Sequence, residues 1–220
     1  MALTLIIGNK RYSSWSLRAW LILKLNDLPF TEERVALFQQ GYKERLVQLS
    51  AGAQVPVLVD ADNEQQLCIF DSLSIAEYLA ESFNLRCGWP ADKKQRAYAR
   101  SLCALMHAGF TALRQQCPMD VGRIPQPVDF SEQTLEEVQR INQILSRCLL
   151  HSGGPFLFGT PGIVDAYYAP VIIRLDRYAL LHQVSPELRA YSAHILALPA
   201  MQDWVEAGQQ ETERIVRISH

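Results

Sequence analysis

Three short stretches of this sequence carry side chains able to do chemistry together. In Tyr12-Ser13-Ser14-Trp15-Ser16-Leu17-Arg18, hydroxyls stand directly before Leu17, Ala19-Trp20-Leu21 and Leu23-Lys24-Leu25, a run with the length and composition of a helix. The apolar Leu3-Thr4-Leu5-Ile6-Ile7 precedes them as a strand, broken by Gly8-Asn9-Lys10. The hydroxyls therefore sit where a strand hands over to a helix. Unpaired backbone N–H groups and the positive end of the helix dipole favour an anion such as a thiolate there. A plain N-cap, worth about 1 kcal/mol, is the alternative role for Ser13 or Ser14. The second stretch is Val55-Pro56, a proline placed for a strand start or edge. A cis bond at this position would turn the Val55 N–H and carbonyl outwards, towards the backbone of a peptide-like ligand. The third is Asp71-Ser72, another helix start. The pair either caps the helix or, in a pocket, holds a carboxylate on Ser72 and an ammonium on Asp71.

The elements that must position these residues follow from spacing. Residues 29–35 read as a second strand and 40–49 as a polar, loosely helical segment. Residues 55–60 read as a third strand and 66–69 as a fourth, joined through the turn residues Asp60-Ala61-Asp62-Asn63. Leu73, Ile75-Ala76 and Tyr78-Leu79 have the spacing of an amphipathic helix. The order β-α-β-α-β-β-α is that of a thioredoxin-like unit over residues 1–82. Asn84, Gly88 and Pro90 punctuate a linker at 83–92. Residues 93–220 then read as all-helical, with helices over 93–117, 131–150, 163–181, 186–197 and 199–207. A loop with Pro118, Gly122, Pro125 and Pro127 separates the first two. The fold class is α/β plus all-α.

Composition narrows the chemistry. A net charge of −2 and a pI near 6.2 give no basic field for nucleic acid or an acidic membrane surface. No signal segment and no apolar run of about 18 residues is present, so a cytoplasmic protein is expected. The five cysteines, Cys68, Cys87, Cys103, Cys117 and Cys148, are scattered and form no C-x-x-C pair, which argues against a zinc ribbon, a dithiol centre or a disulfide scaffold. Cys103 and His107 are four apart on a helix, but two ligands do not make a metal site.

Taken together, the serine loop, Val-Pro after a helix, Asp-Ser before a helix and a following helical region resemble the cytosolic glutathione S-transferases over nearly the whole chain. Ser13-Ser14-Trp15-Ser16 with Arg18 is similar to the zeta-type serine motif. Met106-His107-Ala108-Gly109-Phe110, Leu113-Arg114, Pro118-Met119, Phe156-Leu157-Phe158-Gly159, Val164-Asp165-Ala166 and Tyr168-Ala169-Pro170-Val171 resemble a bacterial branch of the superfamily. The resemblance implies glutathione as co-substrate and no metal. The γ-glutamyl end would rest on Asp71 and Ser72, and the cysteinyl backbone would pair with Val55 beside Pro56. The thiol would face Ser13, with Ser14 in reserve. A free thiol titrates near about 8.5, and lowering that by roughly two pH units takes about 2.7 kcal/mol. One charge-assisted hydrogen bond of about 1.5–3 kcal/mol plus a dipole contribution of about 0.3–1 kcal/mol suffices. Trp15 stands where zeta-type members usually carry a cysteine, which leaves chemistry specific to that cysteine open. Asp71 replaces the more common Gln or Glu. Gly162 replaces the usual Ser or Thr cap, leaving Asp165 half of a capping box worth about 1 kcal/mol to folding.

The electrophile is expected between the two regions. His107, Thr111 and Arg114 follow i, i+4, i+7 spacing beside Phe110; an inter-helix seam is the alternative. Arg177 matches an arginine that zeta-type isomerases use for an acidic substrate, and Arg174 lies three before it. Gln40 and Lys43 are candidates for the glycyl end of glutathione. Trp20, Trp204, Tyr167 and Tyr168 read as core or dimer-interface residues, and family resemblance implies a homodimer. Two other functions stay open. One is a glutathione-dependent cis–trans isomerase of the maleylacetoacetate type; the other is a non-catalytic interaction protein.

Overall fold

The computed structural model of the protein describes residues 3–61, 66–126 and 128–215. Asp62 and Asn63 of the expected turn, Pro127 and residues 216–220 lie outside them. The chain begins β1 (Leu3–Ile7), α1 (Ser14–Leu25), β2 (Phe30–Arg34), α2 (Tyr42–Leu49), β3 (Val57–Asp60), β4 (Leu67–Phe70) and α3 (Ser72–Ser82). The four strands form one sheet in the order β2-β1-β3-β4. β1 runs parallel to β2 with Leu3 opposite Phe30, and antiparallel to β3 with Leu5 opposite Leu58. β4 closes the edge, Val57 opposite Phe70. This is the thioredoxin-like arrangement expected from the element order.

α1 and α3 cover one face of the sheet, and Leu5, Ile7, Leu17, Leu21, Leu58, Ile75 and Leu79 belong to its core. Ile6, Val35, Leu46 and Val57 form a smaller cluster below α2. The alternation along β1 makes both possible, because successive side chains point to opposite faces.

Helices α4 (Lys93–Ala108), α5 (Thr111–Gln116), α6 (Glu132–Ser152), α7 (Ile163–Arg177), α8 (Pro186–Ala197) and α9 (Pro199–Gln210) follow. α7 is the centre of this half: every residue from Ile163 to Leu175 is buried, as an apolar helix surrounded on all sides must be. Tyr167, Tyr168, Trp20 and Trp204 are all core residues. The two indoles meet edge to face at 5.1 Å and join α1 to α9.

The expected single helix over 93–117 is two helices. The Gly109 N–H still bonds the Leu105 carbonyl at 2.8 Å, but Phe110 adopts the left-handed region at φ 59° and turns the chain. The Glu137 carboxylate of α6 then accepts the N–H groups of Ala112 (3.4 Å) and Leu113 (2.8 Å) that the break leaves open. Helical spacing carries no sign of such a break, because the acid that satisfies it lies on another helix. At the other end the expected helix 199–207 runs on to Gln210.

α9 also presses on the serine-bearing loop. A Cβ at Gly208 would lie 2.7 Å from Val121 Cγ2, 2.9 Å from Arg11 N and 3.0 Å from the Lys10 carbonyl carbon. On an open helix Gly→Ala gains up to about 1 kcal/mol. Here backbone cannot yield, so Gly208→Ala is expected to lower stability by about 1–3 kcal/mol in urea unfolding. A stabilised variant would mean that α9 does not pack on this loop as described.

Candidate active site

The loop before α1 is fixed from three directions. The Asn9 carbonyl accepts the N–H groups of Tyr12 (3.1 Å) and Ser13 (2.8 Å), and its side-chain oxygen accepts Leu37 N–H at 2.8 Å. The Glu211 carboxylate, just past α9, accepts the Lys10 and Arg11 N–H groups at 2.8 and 3.1 Å.

The two hydroxyls of the loop are then not equivalent. Ser13 is the N-cap, accepting Ser16 N–H at 3.3 Å. It is buried, and its own O–H donates to Ser16 Oγ at 2.8 Å, an oxygen that also accepts Gly8 N–H at 3.0 Å. Its proton is committed inside the fold. Ser14 opens α1, is half-buried, and its hydroxyl has no hydrogen-bond partner among the described residues.

At the start of α3, Asp71 Oδ1 accepts Leu73 N–H at 2.7 Å and Ser74 N–H at 3.3 Å. Asp71 holds φ 73° and ψ 130°, a conformation costing about 1–3 kcal/mol that recurs where ligands are held. Ser72 is buried and accepts the Tyr167 hydroxyl at 3.3 Å, so its own proton remains available to an acceptor. The Val55-Pro56 bond is cis. Neither the Val55 N–H nor its carbonyl bonds another described residue.

Around these helix starts lies a cluster centred on Trp15. His107 meets its ring edge-on at 4.9 Å, and the Arg18 and Arg114 guanidiniums lie 4.3 and 5.1 Å from its centroid. Arg18 is 2% exposed, lies between Trp15 and Tyr167, and leaves Nε and one terminal nitrogen without partners. Burial pulls its pKa down to about 10, so it stays cationic at neutral pH. Long helical side chains lean towards the N-terminus, which brings this charge towards the first turn of α1, the end where the dipole is already positive. Anions are favoured here. Arg114 bonds back to the Met106 and His107 carbonyls, the latter at 3.0 Å. His107 Nε2 meets Asp71 Oδ2 at 3.2 Å, tying α4 to the start of α3.

The other sequence candidates lie apart from this cluster. Phe110 is buried in the core, and Thr111 beside it is exposed, because the chain break dissolves the stripe that continuous spacing implied. Arg174 is buried, donating from Nε to the Cys117 carbonyl at 2.9 Å and from a terminal nitrogen to the Pro170 carbonyl at 3.1 Å. Arg177 pairs with Asp176 at 3.5 Å and bonds the Arg123 carbonyl at 3.4 Å. Both arginines are tied to the fold. Gln40 and Lys43 are exposed on the surface near α2. Arg18 and Trp15 were legible only as parts of a motif; nothing in their spacing marked a buried cation on an aromatic face.

The chain joins a thioredoxin-like sheet unit to an all-helical region. Comparison with known proteins agrees. Residues 12–82 match the glutathione S-transferase N-terminal domain model and residues 97–207 the C-terminal domain model. The chain belongs to the glutathione S-transferase family. Among curated proteins it is 26% identical to a probable maleylacetoacetate isomerase of Caenorhabditis elegans, over 86% of each chain. It is 24% identical to another, from Vibrio cholerae, over 90% of this chain and 94% of that one. The fold is shared with a glutathione transferase homolog from Burkholderia with bound glutathione (TM-score 0.69, 24% identity, 95% of this chain and 98% of that one). It is shared also with a Pseudomonas putida glutathione transferase holding glutathione disulfide (TM-score 0.71, 20% identity, 93% and 91%).

Proposed function

We propose that the protein is a glutathione-dependent enzyme in which Ser14, rather than Ser13, donates the hydrogen bond that stabilises the bound thiolate. The observation that carries this is the difference between the two hydroxyls: one is closed into Ser16, the other is open at the first turn of α1. The γ-glutamyl end rests on Asp71 and Ser72, and the cysteinyl backbone pairs with Val55. The thiolate attacks a carbon electrophile or adds reversibly to an activated double bond. Arg18, held against the Trp15 ring, supplies positive charge near the first turn of α1. No metal takes part in this reading.

A second reading, cis–trans isomerisation of an acidic diketone, draws support from the names of the two curated relatives. Its cations would be Arg18 and Arg114 in place of Arg174 and Arg177. Calorimetric titration with glutathione tests the shared part, and absence of binding at millimolar concentration sinks both readings. Turnover of maleylacetoacetate against a generic aromatic halide separates them. Homodimer assembly is carried over from the family resemblance and a cytoplasmic location from the sequence reading; sedimentation of the purified protein checks the first.

A further inference from the structure

The N–H groups of residues 10 to 13 lead into α1, and every one of them needs an acceptor. Those of Tyr12 and Ser13 go to the Asn9 carbonyl at 3.1 and 2.8 Å. Those of Lys10 and Arg11 both go to one carboxylate, Glu211, at 2.8 and 3.1 Å. The Glu211 side chain is 9% exposed and faces Arg34 of β2 at 3.8 Å. It reaches the loop because α9 ends against it: a Cβ at Gly208 would stand 2.9 Å from Arg11 N. The Arg11 carbonyl in turn accepts the Val121 N–H at 3.1 Å, so the helical half grips this turn by its N–H groups and by its carbonyl.

Ser14 follows the turn rather than the helix it opens. A first-turn N–H has no intrahelical acceptor, and that of Ser14 bonds the Tyr12 carbonyl at 3.1 Å. A chain of backbone bonds thus runs from Glu211 through residues 10–13 to the residue with the open hydroxyl. Two part-buried N–H groups left without an acceptor are unfavourable, so without the carboxylate the turn must move to reach water. A displacement of about 1 Å at a group that meets a reacting atom costs up to about 100-fold in rate.

We propose that Glu211 is a positioning residue for the thiol: its carboxylate sets the turn that aims the Ser14 hydroxyl at the sulfur of bound glutathione. The assignment rests on the Ser14 reading above. One Glu211 oxygen is taken by Lys10 N–H and the other by Arg11 N–H. Glu211 therefore acts through Ser14 and takes no part in the bond changes.

The test is a double-variant cycle on the full-length protein, assayed well below the melting temperature of each variant. In Glu211→Gln one oxygen still accepts, but the amide nitrogen meets the second N–H donor to donor. Glu211→Gln and Glu211→Ala should each lower kcat/KM by about 3- to 30-fold, a loss bounded by that of Ser14→Ala. The apparent pKa of bound glutathione, followed by thiolate absorbance in the ultraviolet, should rise. S-methylglutathione has no thiol to aim at, so its Kd should stay within about twofold of wild type, since the rest of the tripeptide is held elsewhere. Adding Glu211→Gln to Ser14→Ala should cost no further activity, as expected of residues that act as a unit. Losses that multiply in the double variant, or a loss with an unmoved thiol pKa, overturn the assignment while leaving Ser14 in its role. A silent Ser14→Ala overturns the Ser14 reading itself. Glu211→Gln keeps the size of the side chain and decides the matter should Glu211→Ala not fold.

Discussion

Ser14→Ala is expected to lower kcat/KM by roughly 10- to 100-fold and to raise the apparent pKa of bound glutathione, while barely changing thermal stability. The magnitude follows from the loss of one charge-assisted hydrogen bond, about 1.5–3 kcal/mol, at about 1.4 kcal/mol per tenfold in rate. Ser13→Ala should behave in the opposite way. Ser13 caps α1 and closes a hydroxyl pair with Ser16, so its removal costs about 1 kcal/mol of stability, or about 2–4 °C in Tm for a chain of this size. Activity should change by less than about threefold, a shift worth under about 0.7 kcal/mol. The pair of variants decides the matter, because a Ser13→Ala that kills turnover with unchanged stability would return the role to Ser13.

Asp165→Ala carries the largest expected loss of stability. Sequence reasoning gives Asp165 half of a capping box, and the Gly162 N–H does bond Oδ2 at 2.9 Å. The structure adds two more donors. Oδ1 accepts the Leu157 N–H at 3.2 Å and the Tyr191 hydroxyl at 2.9 Å, so one buried carboxylate joins the 157 segment, the start of α7 and α8. Truncation strands these donors in a closed interior, a cost of about 3–5 kcal/mol rather than 1 and about 10 °C or more in Tm. Burial also lifts the Asp165 pKa to about 6. A raised carboxylate pKa means that the folded state holds more protons than the unfolded state between about pH 4 and 6, so the contribution of this group declines as pH rises through that window. The stability gap between wild type and Asp165→Ala should narrow correspondingly from pH 4 to pH 7. A gap below about 1 kcal/mol at both pH values would show that these hydrogen bonds do not hold the region together.

A cavity of about 840 Å³ is lined by Tyr98, Arg147, Cys148, His151, Leu157 and Phe158. It lies on α4 and α6, on residues other than those of the Trp15 cluster. Burial pushes the Cys148 thiol up, so this cysteine is held in its unreactive form at neutral pH.

By itself the sequence determined the order of strands and helices in the sheet unit, the helix starts at the serine pair and at Asp71-Ser72, and the switch to an all-helical second half. These are local properties: apolar periodicity, cap chemistry and breaker residues act within a few positions of one another. Tertiary structure alone decided which hydroxyl is open and that the chain breaks at Phe110. It also decided that Arg174 and Arg177 serve backbone carbonyls, and that Arg18 is buried against Trp15. Several of these depend on a partner far along the chain: Glu137 for the break, Cys117 for Arg174, Tyr167 for Arg18 and Glu211 for the loop that carries the serines. A side chain's type states which bonds it is able to make. Which of them it does make is set by neighbours that only folding brings within about 3 Å.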